Sequence, residues 1–237
     1  MKQSEANVFL VDVDNTLLDN DRVQDDFRRG LEREFGAEAR DRYWTIQERL
    51  FTELGYRDYL GALQRYRIEY PEDLRVLSMS PLFVDYPFGD RLYPRALDVL
   101  ARLRTWGRTV ILTDGDAVFQ PRKVERSGIF EAVAGDVLIY VHKEEALADV
   151  EQRYPARHYV LVDDKLRILS AVKKVWGERV TTVFPRQGSF ANDPKVVGAF
   201  PPADLSIERI ADLLDCDPKR LLRSASATIE FTYEVTP

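Results

Sequence analysis

The sequence predicts a doubly wound α/β fold, a parallel sheet with helices on both faces, carrying a small α-helical domain inserted after the first strand. Three observations predict it. Short, continuous apolar runs recur along the chain and end in small polar residues, the pattern of strands buried on both faces. Between these runs the apolar period lengthens to that of a helix. Residues 20–89 break the rhythm: they are dense in Arg, Glu, Asp and aromatics, with Ile46, Leu50 and Leu54 at helical spacing and no strand run among them.

The first run is Val8-Phe9-Leu10-Val11, which leads into Asp12-Val13-Asp14-Asn15-Thr16. After the insertion, residues 81–89 close on Pro87 and Gly89 and read as a return hinge. Ala96, Leu97, Leu100 and Leu103 then give a helix ahead of Gly107. Val110-Ile111-Leu112 is the second strand, ending in Thr113, Asp114, Gly115 and Asp116, and a helix through Val124 to Ser127 closes at Gly128. Val137-Leu138-Ile139-Tyr140 is the third strand, with Lys143 just past its end and a helix over 143–153. Tyr159-Val160-Leu161-Val162 is the fourth and ends in Asp163-Asp164. Ile168, Ala171, Val172 and Val175 give the next helix, and residues 180–184 the next strand. Strand-helix-strand alternation implies right-handed crossovers and hence the parallel sheet.

The C-terminal part carries two further patterns. Ile207, Ile210, Ala211 and Leu214 read as a helix that stops before Pro218. In the tail, residues 224–237, Ile229, Phe231, Tyr233 and Val235 alternate with polar residues, the period of a half-buried strand. Such a strand is expected to pair at an edge of its own sheet or, in a homodimer, with a second copy.

Ligands of open α/β sheets sit outside the carboxyl ends of the strands, so the residues at those ends carry the functional signal. Asp12 and Asp14 fall one residue apart at the first end. Two carboxylates about 4 Å apart repel by roughly 4 kcal/mol at an effective dielectric near 20. A shared proton, a basic side chain or a divalent cation can offset this, and an all-oxygen donor set suits magnesium. Asp-x-Asp alone is equally compatible with an Asx turn closing a strand. The remaining strand ends add a hydroxyl (Thr113), a cation (Lys143) and two more acids (Asp163, Asp164).

That ordered set resembles the four motifs of the haloacid dehalogenase (HAD) superfamily: Asp-x-Asp-x-Thr, a Ser or Thr, a Lys, and an acidic pair. The resemblance spans residues 8–183 and implies a Rossmann-like core over 1–19 and 90–223, with a helical cap over 20–89 that closes the site. It implies a magnesium-dependent phosphatase acting on small phosphorylated metabolites. Asp12 is then the nucleophile, and Asp14 the general acid and base whose backbone carbonyl also binds the metal. Thr113 and Lys143 contact the phosphoryl group, Asp164 binds magnesium and Asp163 orients its waters. Asp14 favours phosphatase over 2-haloacid dehalogenase chemistry; a sugar-phosphate mutase uses the same core. A catalytically idle binding protein is a further alternative, and a receiver module is too short. Two departures stand out: Asp114, with Asp116, places negative charge where Asn or Gly is usual, and Lys165 stands where a small Ser is common.

Neighbouring cations have plainer readings. Lys123 and Arg122 are expected on a solvated helix face, His142 in a structural role, and Arg57, Arg65 and Arg67 mostly facing solvent. The 237 residues carry a net charge of −6 with 45% apolar content, which argues against a nucleic-acid footprint. The single cysteine, Cys216, excludes an intrachain disulfide. With no signal-like N-terminus and no apolar run of membrane length, a cytoplasmic enzyme is expected.

Overall fold

Alternate side chains of the first strand enter different cores. In β1 (Glu5–Val11), Val8 and Leu10 pack into one apolar cluster, while Phe9 and Val11 pack into another on the opposite face. This two-sided burial is why the run is apolar without alternation. The computed structural model describes residues 5–222. Around β1 it assembles a six-stranded, all-parallel sheet with β2 (Arg108–Asp114), β3 (Val137–Tyr140), β4 (Ala156–Val162), β5 (Val180–Pro185) and β6 (Leu205–Ile207), in the order β3-β2-β1-β4-β5-β6. Leu10 lies opposite both Val110 and Leu161, at the centre. The chain steps outward from β1 to β3 and then returns to β4 on the other side of β1. The order therefore reverses between β1 and β4, the point at which such sheets open a crevice.

Between β1 and β2 run α1 (Asn20–Phe35), α2 (Ala37–Leu54), α3 (Tyr59–Glu69) and α4 (Ser80–Val84), with short 3-10 turns at Leu74–Ser78 and Phe88–Arg91. Asp19 and Asp58 start α1 and α3 by accepting from the amides of Arg22 and Gly61. Phe27 of α1 centres an aromatic cluster, edge-on to Phe83 at 4.9 Å and to Tyr59 at 5.4 Å. The two passages between sheet and insertion lie side by side, as Leu18 and Leu92 form an antiparallel bridge and the Asp19 amide donates to the Arg91 carbonyl.

The remaining helices flank the sheet: α5 (Ala96–Arg104), α6 (Phe119–Arg126), α7 (Ile129–Ala132), α8 (Leu147–Arg153), α9 (Leu166–Trp176), α10 (Gly188–Asn192), α11 (Pro194–Val197) and α12 (Pro218–Leu221). Phe119 of α6 packs, tilted, against Tyr59 with ring centroids 4.6 Å apart, so the inserted helices share apolar contacts with the core.

Three expectations need correction or limitation. The helix expected over 143–153 divides into a 3-10 turn, Lys143–Glu145, and α8. The one expected from Ile207 to Leu214 is not an α-helix: Ile207 ends β6, its carbonyl taking the Arg186 amide, and Ile210–Leu214 is a 3-10 turn. Pairing with β5 overrides the helical apolar period there. The strand read in residues 228–236 lies outside the described residues.

Candidate active site

Strand register brings the motif residues to one place. Asp12 follows the last residue of β1, and its amide continues the ladder to the Val162 carbonyl of β4; the Asp163 amide likewise reaches Val183 of β5. Asp12 and Asp163 therefore stand on adjacent strand ends. Lys143, just beyond β3, extends its buried ammonium across β2 to meet both, with Nζ 2.5 Å from Asp12 Oδ1 and 2.6 Å from Asp163 Oδ2. It also donates to the Leu112 carbonyl at 3.2 Å.

Burial opposes the charge on Lys143, but Asp12, Asp163 and Asp114 outweigh it and hold the ammonium above the ordinary lysine range. The carboxylates are less well matched. Burial pushes Asp163 up to about 6, Lys143 opposing the rise and Asp12 adding to it, and burial pushes Asp164 well above the carboxylate range. Oxygens of Asp12, Asp163 and Asp164 lie within 4.8 Å of one another, all three residues buried. Among the described residues, neither carboxylate oxygen of the buried Asp164 has a hydrogen-bond partner. Orphaned oxygens beside two further carboxylates fit a hard divalent cation such as magnesium, which takes oxygen ligands and would offset the mutual repulsion.

Thr16 supports this end of the site. Its hydroxyl accepts from the Asp164 amide at 3.1 Å, and its carbonyl accepts from Gln187 Nε2. Asn15, at φ 58°, turns its side chain to cap α1 by accepting from the Asn20 and Asp21 amides. Thr113 is buried inside β2, where its hydroxyl accepts from Gln120 Nε2 at 3.0 Å.

Asp14 stands apart from the acidic triad. Its Oδ1 lies 2.6 Å from Lys123 Nζ, and that ammonium also donates to Asn20 Oδ1 at 3.1 Å. Lys123 is 1% exposed, so the expected solvated helix face is overturned. Phe119, Gln120, Lys123 and Val124 form the buried stripe of α6, and two polar residues on such a stripe were the sequence signal for both contacts. Arg122 instead meets the Val84 carbonyl and Glu125, away from the triad.

The two unusual acids are accounted for locally. Asp114 accepts from the Lys143 amide at 2.7 Å, and burial raises its pKa. Asp116 Oδ1 accepts from the Val118 and Phe119 amides, at the start of α6.

Over these residues opens a cleft of about 410 Å³, lined from the core by Asp14, Asp114, Lys123, Asp164 and Lys165 and from the inserted helices by Arg28, Tyr56, Arg57 and Tyr59. Arg57 thus faces the cleft, while Arg65 and Arg67 are exposed elsewhere. His142 abuts Gly55, where an added Cβ would lie 3.1 Å from its ring.

Residues 6–175 match the haloacid dehalogenase-like hydrolase family. Among solved structures, a haloacid dehalogenase-like hydrolase from Burkholderia xenovorans LB400 is 60% identical, with TM-score 0.87 over 91% of this chain and 98% of that one. The HAD-hydrolase YfnB from Bacillus subtilis, bound to magnesium, is 17% identical, with TM-score 0.59 over 90% and 98%. An L-2-haloacid dehalogenase from Xanthobacter autotrophicus, with chloropropionic acid covalently bound, is 16% identical, with TM-score 0.57 over 88% and 96%. The last two are likenesses of fold. A search of the curated proteins finds no match.

Proposed function

The chain belongs to the haloacid dehalogenase-like hydrolases, and from that premise we propose that it hydrolyses small phosphate monoesters with magnesium, through an aspartyl phosphate on Asp12. The observation that carries the reading is the pairing of a buried, lysine-held Asp12 with orphaned carboxylate oxygens on Asp164 beside it. A nucleophile at that position would have a cationic neighbour for the incoming phosphoryl group and an acidic cradle for a metal.

Lys143, fixed between Asp12 and Asp163, orients the attacking carboxylate and neutralises charge gathering on the phosphoryl oxygens. An Asp12 oxygen bonds to phosphorus as the ester oxygen departs, and the Thr113 hydroxyl, already accepting from Gln120, donates to a phosphoryl oxygen. Asp14 gives a proton to the departing alkoxide, then takes one from the water that opens the aspartyl phosphate, regenerating Asp12 and releasing phosphate. Asp12, Asp163 and Asp164, with the Asp14 carbonyl, would hold magnesium, which supplies Lewis-acid polarisation of the phosphoryl group. Asp14 also favours this reading over dehalogenation, because a halide departs without needing a proton. The helices of residues 20–89 act as a cap that excludes water and selects among substrates.

A screen of phosphorylated metabolites with and without magnesium tests the assignment. Turnover of at least one monoester that is lost on chelation is expected, as is loss of turnover in a folded Asp12→Asn variant, whose amide is a poor nucleophile. Unchanged phosphatase activity in that variant would sink the mechanism.

A further inference from the structure

Five cationic side chains line the cleft, and four of them are engaged. Arg28 lies 3.7 Å from Glu48, Arg57 meets Gln47 and Glu48, Lys123 holds Asp14, and Arg167 pairs with Glu144. Lys165 is the exception. Among the described residues its ammonium makes no hydrogen bond and no ion pair, and it lies over the Phe190 ring, with the centroid 5.7 Å from Nζ.

The root of this side chain is fixed beside the acidic pair, because the Lys165 amide donates to Asp163 Oδ1 at 2.8 Å. The charges acting most strongly on it are Asp164, Asp12 and Asp163. Even so, Asp164 keeps both oxygens unsatisfied while the ammonium of the next residue stays unpaired. Were charge balance its role, the direct pair would form. An unmet anion and an unmet cation side by side instead suit two external partners of opposite sign: a metal ion for Asp164, and an anion for Lys165.

We propose that Lys165 is a second ammonium contact to the transferring phosphoryl group, complementing Lys143. The proposal rests on the phosphoryl-transfer reading above and deepens it, since the ligand chemistry it requires is a multiply charged tetrahedral oxyanion beside Asp164 and Lys165 in the cleft wall. It also adds to Lys143 a second, weaker counter-charge for the Asp114 carboxylate. The negative charge that Asp114 adds near a phosphate is thereby offset within the same wall.

The experiment compares the magnesium-loaded wild type with Lys165→Met, which keeps the stem against Phe190, and Lys165→Arg, which keeps the charge. Inorganic phosphate is the probe, read by calorimetry and by product inhibition, with magnesium affinity measured separately without phosphate. Loss of one charge-assisted hydrogen bond should weaken phosphate binding about 10-fold in Lys165→Met and raise KM in step, with Lys165→Arg recovering most of it. Magnesium should bind Lys165→Met at least as tightly as wild type, because a like charge has gone, so the loss cannot be traced to a missing metal. Equal phosphate affinity in Lys165→Met and wild type would overturn the proposal and leave Lys165 a charge-balancing residue. If the wild type neither binds phosphate nor cleaves any phosphate ester, the phosphoryl-transfer reading fails first and takes this inference with it.

Discussion

Removing either partner of the Lys123–Asp14 pair should destabilise the protein, and the two losses should be unequal. Lys123→Met deletes the ammonium's ion-paired hydrogen bond to Asp14, worth roughly 2 kcal/mol, and its bond to the uncharged acceptor Asn20 Oδ1, worth roughly 1 kcal/mol, while the side-chain stem stays packed. The Asp14 side chain is 25% exposed, so it rehydrates when abandoned, and screening trims the loss to about 2 kcal/mol. Asp14→Ala strands an ammonium that is 1% exposed, with Asn20 the one remaining acceptor among the described residues. Breaking a buried pair in that sense costs about 3–5 kcal/mol, and the surviving Asn20 contact places this case near 3 kcal/mol. For a chain of this length each kcal/mol moves Tm by about 2–4 °C, giving decreases of about 4–8 °C for Lys123→Met and 6–12 °C for Asp14→Ala. Melting curves in metal-free buffer read both without interference from metal binding. The reasoning is refuted if Lys123→Met costs as much as Asp14→Ala, or if neither moves Tm by a degree.

Two other predictions follow from local features. In the metal-free protein Asp163 titrates near 6 rather than at the ordinary 3.8. Between those values the folded state binds more protons than the unfolded state, so its contribution to stability falls as pH rises through that window. Magnesium requires the ionised carboxylate, so its addition should raise Tm little at pH 5 and clearly at pH 8; equal gains at both would contradict the assignment. Gly188 has φ +73°, and a Cβ there would lie 2.5 Å from Asn15 Cβ. Gly188→Ala should therefore cost about 3 kcal/mol, roughly 1–2 of it backbone strain and the rest displacement of Asn15. A melting temperature within a degree of wild type would show that the loop accommodates it.

Legibility along the chain tracked how much each segment depends on its own residues. β1, β2 and β4 are buried on both sides, so their central positions are apolar and each strand is visible as an uninterrupted run, whereas β5 carries the buried Thr181 and Thr182 within its run. The inserted helices showed as an absence of such runs. Where structure is set by distant partners, the reading failed. Ile207 is drawn into β6 by β5, and α10 and α11 are helices of only five and four residues, too short to display a period. The Ile210 amide is satisfied by the Gln187 side chain, a contact across 23 positions that no local pattern announces.

The site divides along the same line. Asp12, Thr113, Lys143, Asp163 and Asp164 were legible because each sits at or just past a strand end, where a polar residue interrupts an apolar run. Lys123 and Gln120 were missed because a helix is read by its apolar stripe, and polar residues on it pass for solvent-facing. Their burial becomes intelligible once α6 is placed over the β1 and β2 ends: Gln120 then reaches back to Thr113, and Lys123 to Asp14, 109 positions away. A lysine on a buried stripe needs an anionic or acceptor partner, and a strand-end aspartate needs a counter-charge. The two residues answer each other, and a search for polar positions on apolar stripes would have marked Lys123 as a candidate partner for one of the strand-end acids, with the choice of Asp14 set by where α6 packs.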